Sequence, residues 1–171
     1  EVEERDDDEL LALLGRNDSF DTRAVVQGQS RHAFRARSET LEHAALTDAL
    51  TGMQNRRYFD DALREYLDEF KRIGRPIGLL ILDLDHFKQV NDTYGHDIGD
   101  EVLRTVAGCL KEFTRYHDVV ARLGGEEFAV VAPNMDDELL MTLAERIRKA
   151  VAALTVTSGN VRLRVTTSIG L

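Results

Sequence analysis

The chain has 171 residues, 43 % of them hydrophobic, a formal net charge of −9 and one cysteine. That length and apolar share suffice for one packed domain plus an appendage, and the acidic balance argues against broad, non-specific nucleic-acid binding. Cys109 alone excludes an intrachain disulfide framework and suits a reducing compartment.

No apolar run nears the roughly 20 residues of a membrane span, so no membrane segment is expected in this chain. The start is acidic where a signal peptide is basic, so a cytoplasmic setting is expected. Residues 1–9 carry seven acids and one arginine, a net −6 that leaves −3 for the rest. Residues 1–37 read as a separate leader or the remnant of a regulatory region. Within them Leu10, Leu11, Leu13 and Leu14 suffice for one or two helical turns. Ser38 can cap a helix running to Ala49, with Leu41, Ala45 and Leu46 as its apolar stripe. Residues 38–52 thus form a linker or stalk helix, able to pair with its copy, and Thr51-Gly52 breaks it.

The remaining chain, 53–171, reads as one domain. Phe59, Leu63, Leu67 and Phe70 predict a helix over 56–72, which Gly74-Arg75-Pro76 ends. Residues 77–82 are almost unbroken apolar and predict a central strand. Ile98, Val102, Val106, Leu110 and Phe113 share a face of a helix over 97–113, with Cys109 on its apolar side. Residues 118–131 predict a hairpin whose two-residue turn is Gly124-Gly125. Asp136 opens a further helix that includes Leu140, Leu143, Ala144, Ile147 and Val151. Strict alternation through Val161, Leu163, Val165, Thr167 and Ile169 predicts a last strand. The order is a helix followed by β-α-β-β-α-β. That is an α+β class domain: a ferredoxin-like, palm-type antiparallel sheet with helices packed on one face, preceded by an N-terminal helix.

Two acidic groups stand out on this frame. Asp83 and Asp85 lie where the central strand emerges, on the same side by alternation. Glu126 and Glu127 follow the glycine turn, where the backbone accepts positive φ and a ligand can approach closely. If the first strand lies beside the hairpin, Asp83 comes near Glu126 across 43 residues of sequence. Two carboxylates and a backbone carbonyl are hard oxygen ligands of the kind Mg²⁺ takes, with phosphate and water completing the shell. A site where a cation carries a nucleotide's phosphates is therefore expected. No P-loop is present, which argues against a Walker-type hydrolase.

Four segments, in order, resemble the GGDEF domain, the catalytic domain of diguanylate cyclases. They are Asp48-Ala49-Leu50-Thr51-Gly52-Met53-Gln54-Asn55-Arg56-Arg57, Leu82-Asp83-Leu84-Asp85-His86-Phe87-Lys88-Gln89-Val90-Asn91-Asp92, Gly95-His96-Asp97-Ile98-Gly99-Asp100 and Arg122-Leu123-Gly124-Gly125-Glu126-Glu127-Phe128. The resemblance covers about 46–171, with Glu126 where the signature has Asp. It implies condensation of two GTP into cyclic di-GMP with release of two pyrophosphates, at the interface of a homodimer, with Mg²⁺ or Mn²⁺.

By position, Asp83, the Leu84 carbonyl and Glu126 resemble the metal ligands. Glu127 resembles the acid that aids metal binding or deprotonates the attacking hydroxyl. Gly124 and Gly125 let the nucleotide lie against the turn, Asn91 and Asp100 resemble the guanine readers, and Phe87 and Lys88 resemble residues at the phosphate end. A carboxylate can accept from guanine N1–H and the 2-amino group, a donor pair adenine lacks. Arg115-Tyr116-His117-Asp118 resembles the family's inhibitory Arg-x-x-Asp motif for product, with Arg146 as a supporting arginine. The family continues past the position of Leu171 with a hairpin and a final helix that help hold phosphates, so the catalytic domain reads as C-terminally incomplete. The alternative reading is a non-catalytic GTP or cyclic di-GMP receptor module. A palm-type cyclase acting on ATP is a third, against which Asn91 and Asp100 count.

Overall fold

The computed structural model of the protein describes residues 45–171. The expected leader over 1–37 and most of the helix over 38–49 lie outside them. Ala45 and Leu46 are helical, but Thr47 already forms an isolated antiparallel bridge with Gln54. The helix therefore stops short of Ala49. The Asp48 carboxylate accepts from the Thr51 amide at 2.9 Å and its hydroxyl at 2.7 Å, folding the chain into a turn instead.

Strand β1 (Gln54–Asn55) leads into helix α1 (Arg56–Ile73). Asn55 starts α1 because its side-chain oxygen accepts from the Tyr58 amide at 3.1 Å. Its amide nitrogen also donates to the carbonyl of Ala45 at 2.9 Å, tying the incoming chain to the helix start. Next come β2 (Ile77–Leu84), α2 (Phe87–Tyr94), α3 (His96–Phe113), β3 (Val119–Gly124) and β4 (Glu127–Pro133). Helix α4 (Asp137–Ala153) and strands β5 (Val156–Ser158), β6 (Val161–Leu163) and β7 (Thr167–Gly170) follow.

The main sheet has the order β1-β3-β4-β2-β7. β2 pairs antiparallel with β4 and with β7, and β3 pairs antiparallel with β4. β1 joins the edge in parallel with β3. Without β1, this is the expected ferredoxin-like sheet. α3 and α4 bury Val102, Val106, Leu110, Leu143, Ile147 and Val151 against Leu80, Leu82, Leu84 and Val130.

The helices do not all lie on one face. α1 covers the other, packing Phe59 against Val119, Ala121, Ala129 and Val131. β2 and β4 require this, since both are apolar on consecutive residues, with 128–132 buried without interruption. Such strands cannot leave a face to water. Phe128, fully buried, contributes about 1.5–3 kcal/mol by leaving water. It thereby anchors β4 directly behind the two acids. Cys109 is a buried core thiol whose pKa burial pushes up.

The alternating run at 161–169 is two elements. β6 closes a small hairpin with β5, and β7 pairs with β2. Val165 and Thr167 keep their buried phase between and into these partners, so the period survives while the pairing changes. α2 is a further departure, a two-turn helix where no element was expected. No helix among the described residues is long and apolar enough to cross a membrane.

Candidate functional site

The β2–β4 register runs from Ile77 opposite Pro133 to Asp83 opposite Glu127. Asp83 is therefore aligned with Glu127, and Glu126 sits one residue earlier, in the turn. The turn itself is Gly125-Glu126 and not Gly124-Gly125. Gly124 belongs to β3, opposite Glu127, after an irregularity between Arg122 and Gly124. That extra residue shifts the hairpin by one place. Gly125 has φ +52, a left-handed conformation that suits glycine at the bend.

Directly opposed residues of an antiparallel pair lie about 4.5–5.5 Å apart at Cβ, and like charges there repel. Asp83 and Glu127 are exposed and Glu126 is half-buried. Among the described residues, no ion pair or side-chain hydrogen bond engages these three carboxylates. The corner is thus acidic and uncompensated, and its donors are all oxygen, which fits a hard divalent cation. No three His, Cys, Asp or Glu side chains among the described residues cluster closely enough to form a complete cage. A cation there would take its remaining ligands from backbone and phosphate. The Leu84 side chain is buried in the core, so only its backbone is available as a ligand.

Asp85 has a different task. Its carboxylate accepts from the hydroxyls of Ser168 and Thr166, each at 2.6 Å, and its amide donates to the Thr166 carbonyl at 3.0 Å. Those hydroxyls hold its pKa below the usual carboxylate value. The Thr167 hydroxyl donates to the Asp83 carbonyl at 2.8 Å. β7 therefore fixes the end of β2 from which Asp83 projects.

Arg122 fixes the other side. Its Nε and Nη2 donate to the Gly125 carbonyl at 3.1 and 2.8 Å. Its Nη1 lies 3.1 and 3.2 Å from the two Asp48 carboxylate oxygens. Burial works against the Asp48 carboxylate, but bonds from Thr51 and Arg122 outweigh it and its pKa is lowered. A planar guanidinium suits such a fork. It joins the turn at 48–53 to the glycine bend, a role the sequence analysis did not assign. Its only signal was an arginine two residues before the glycines.

His86, which has φ +59, precedes the first residue of α2, and Gly95 follows its last. Lys88 is exposed on its first turn, whereas the Phe87 side chain is in the core. Asn91, in the last turn, is half-buried, and its carbonyl accepts from the Gly95 amide at 2.9 Å. α3 follows at once, bringing buried Gly99 against the Asn91 side chain, with half-buried Asp100 adjoining in sequence.

Arg115 and Asp118 line an open cavity of about 590 Å³ together with Tyr58, Tyr66, Lys111 and His117. Asp118 caps a tight turn there, accepting from the Arg115 amide at 2.7 Å. Arg146 is not among the residues lining that cavity. Its guanidinium lies 5.4 Å from the centre of the Phe113 ring.

Residues 45–171 match the profile of the family described as "Diguanylate cyclase, GGDEF domain". Diguanylate cyclase DgcP of Pseudomonas aeruginosa is 38 % identical over 162 residues, 95 % of this chain and 23 % of that protein. The response regulator PleD of Caulobacter vibrioides is 44 % identical over 136 residues, 77 % of this chain and 30 % of its own. The chain thus spans under a third of these relatives' length. Among solved structures, the coiled coil and GGDEF domain of DgcB from Caulobacter crescentus, in complex with c-di-GMP, aligns with TM-score 0.83 at 33 % identity. It covers 90 % of this chain and 82 % of that one. The active GGEEF domain of a Vibrio cholerae diguanylate cyclase aligns with TM-score 0.63 at 34 % identity, covering 68 % of this chain and 73 % of that one.

Proposed function

Because the chain belongs to the GGDEF-domain family of diguanylate cyclases, we propose that it condenses two GTP molecules into cyclic di-GMP, releasing two pyrophosphates. The observation that carries the reading is the register opposing Asp83 and Glu127 beside the Gly125-Glu126 turn. The Vibrio cholerae domain, named active with Glu at the signature's third position, supports Glu126 as a working variant.

Asp83, Glu126 and the Leu84 carbonyl would hold a Mg²⁺ or Mn²⁺ ion. When bound, it supplies charge neutralisation to the phosphates and the departing pyrophosphate. Glu127, exposed on the same corner, accepts the proton of the attacking 3′-hydroxyl or helps hold the cation. Lys88 adds positive charge at the phosphate end. The early amides of α2 point where a helix N-terminus attracts anions, so Phe87 contributes through its backbone. Gly124 and Gly125 leave room for the nucleotide along the bend. Asp100 accepts from guanine N1–H and the 2-amino group, and Asn91 bonds the purine edge. Adenine would leave Asp100 unpaired, at a cost of about 1–3 kcal/mol.

One domain holds one GTP and therefore half a reaction. Two copies face each other antiparallel, so that each 3′-hydroxyl attacks the other's α-phosphorus. Alignment of this kind is worth about 7–11 kcal/mol in favourable cases. Product returns to the Arg115–Asp118 cavity and slows the enzyme, with Arg146 as the supporting arginine.

Incubation with GTP and Mg²⁺ followed by chromatography tests the proposal. Cyclic di-GMP is expected from the parent, and Glu127→Gln should abolish it with the circular dichroism unchanged. Binding of GTP without any product would make the chain a receptor.

A further inference from the structure

Gly99 occupies the first turn of α3, where glycine brings helix formation no advantage. Space explains its presence. A methyl group built there would overlap the Asn91 carboxamide oxygen, reach its Cγ at 3.0 Å, and stand 3.3 Å from the Phe87 ring. The bare backbone thus lets α2 and α3 close until the Asn91 side chain rests on α3. The bond from the Gly95 amide to the Asn91 carbonyl at 2.9 Å holds the Asn91 main chain, so a side chain at 99 would be met by rotation of the carboxamide. The Gly99 amide in turn donates to the Gly95 carbonyl at 3.2 Å, so one residue clamps both helices.

We propose that Gly99 is a positioning residue that sets base selectivity: by ceding its side-chain space to the Asn91 carboxamide, it sets the angle at which Asn91 and Asp100 meet a purine. The inference rests on the reading of Asn91 and Asp100 as guanine readers. Any side chain at 99 displaces the carboxamide while leaving Asp83, Glu126 and Glu127 untouched, since those belong to β2, β4 and the bend before β4. The loss therefore falls on guanine recognition and not on nucleotide binding in general. A merely structural glycine would weaken both nucleotides alike, through the fold.

The test uses 3′-deoxy-GTP and 3′-deoxy-ATP, which cannot react for want of the attacking hydroxyl, titrated calorimetrically with Mg²⁺. Gly99→Ala is expected to lower 3′-deoxy-GTP affinity at least tenfold, change 3′-deoxy-ATP affinity less than twofold, and leave the melting temperature of the chain in place. In an Asn91→Ala background the same substitution should cause no further loss. A 3′-deoxy-GTP affinity that falls less than tenfold, or an equal loss for both nucleotides, overturns the proposal. Should Gly99→Ala alone not fold, the double variant decides: recovered folding with affinities for both nucleotides equal to those of Asn91→Ala supports the proposal, and continued unfolding or a further loss for both nucleotides overturns it. A parent chain that binds neither nucleotide would instead sink the guanine reading beneath it.

Discussion

Arg122 shows how one side chain can serve two distant backbones. Its guanidinium spans Asp48, 74 positions earlier in the chain, and the carbonyl of Gly125. Both partners are largely sheltered, with side-chain exposures of 13 % for Arg122 and 23 % for Asp48. Breaking a charge-assisted bond of this kind costs about 1.5–3 kcal/mol. The pH dependence has a definite sign. Asp48 has a lowered pKa in the fold, so the folded protein binds fewer protons than the unfolded chain near pH 4. Its contribution is complete above the ordinary carboxylate pKa of about 3.9 and fades as pH drops toward the lowered value. Asp48→Asn should therefore lose stability at neutral pH in urea unfolding, with the gap to the parent narrowing below about pH 4. A gap that stays constant down to pH 2.5 would show that the charge is not what matters. No period or spacing exposes this pairing in the sequence, because it joins two turns through tertiary structure. Asp83 and Glu127, by contrast, were legible as acids ending adjacent strands. Their registration was displaced by one residue, because a bulge before Gly124 leaves no mark in composition.

Continuous apolar strands and strongly periodic helices were read correctly from the chain, and short elements were not. Phe87, Val90 and Tyr94 do hold helical spacing, but eight residues is too few for a period to separate α2 from a turn. β6 and β7 share one alternation, so nothing local marks where the chain leaves one partner for another. The second helical layer was implied by β4, whose five consecutive buried residues have no solvent face. The fit between layers is close. A Cβ on Gly78 of β2 would stand 2.6 Å from Leu140 Cδ1 of α4. Gly78→Val should force α4 off the sheet and cost about 1–3 kcal/mol of stability in urea unfolding. Adding Leu140→Ala should recover part of that loss, because the two changes share one contact. If the double variant is weaker by the full sum of the single losses, the clash is not the cause.

At the scale of the whole domain, the acidic corner and the Arg115–Asp118 cavity are distinct places served by one sheet. Under the proposed function, Arg115→Ala should relieve inhibition by cyclic di-GMP while leaving the initial rate in GTP unchanged. Progress curves with added product measure this, and inhibition of undiminished strength would remove the cavity from the account. Under the same reading, the acids proposed for the chemistry sit at strand ends and in the bend between β3 and β4, and the proposed base readers sit on α2 and at the start of α3. The acids were visible from their placement at strand ends, and Asn91 and Asp100 through the family resemblance. The clasp between Asp48 and the bend required coordinates.

β3 separates the two places like a ruler. It starts beside Asp118 and ends at Gly124, six residues and about 20 Å at the usual rise per residue. A dinucleotide lodged at the first end leaves the far end vacant for triphosphate. Under the proposed function, inhibition across that interval is expected to be non-competitive, depressing the maximal velocity and sparing the Michaelis constant, so that a rising supply of GTP would not outrun accumulated messenger.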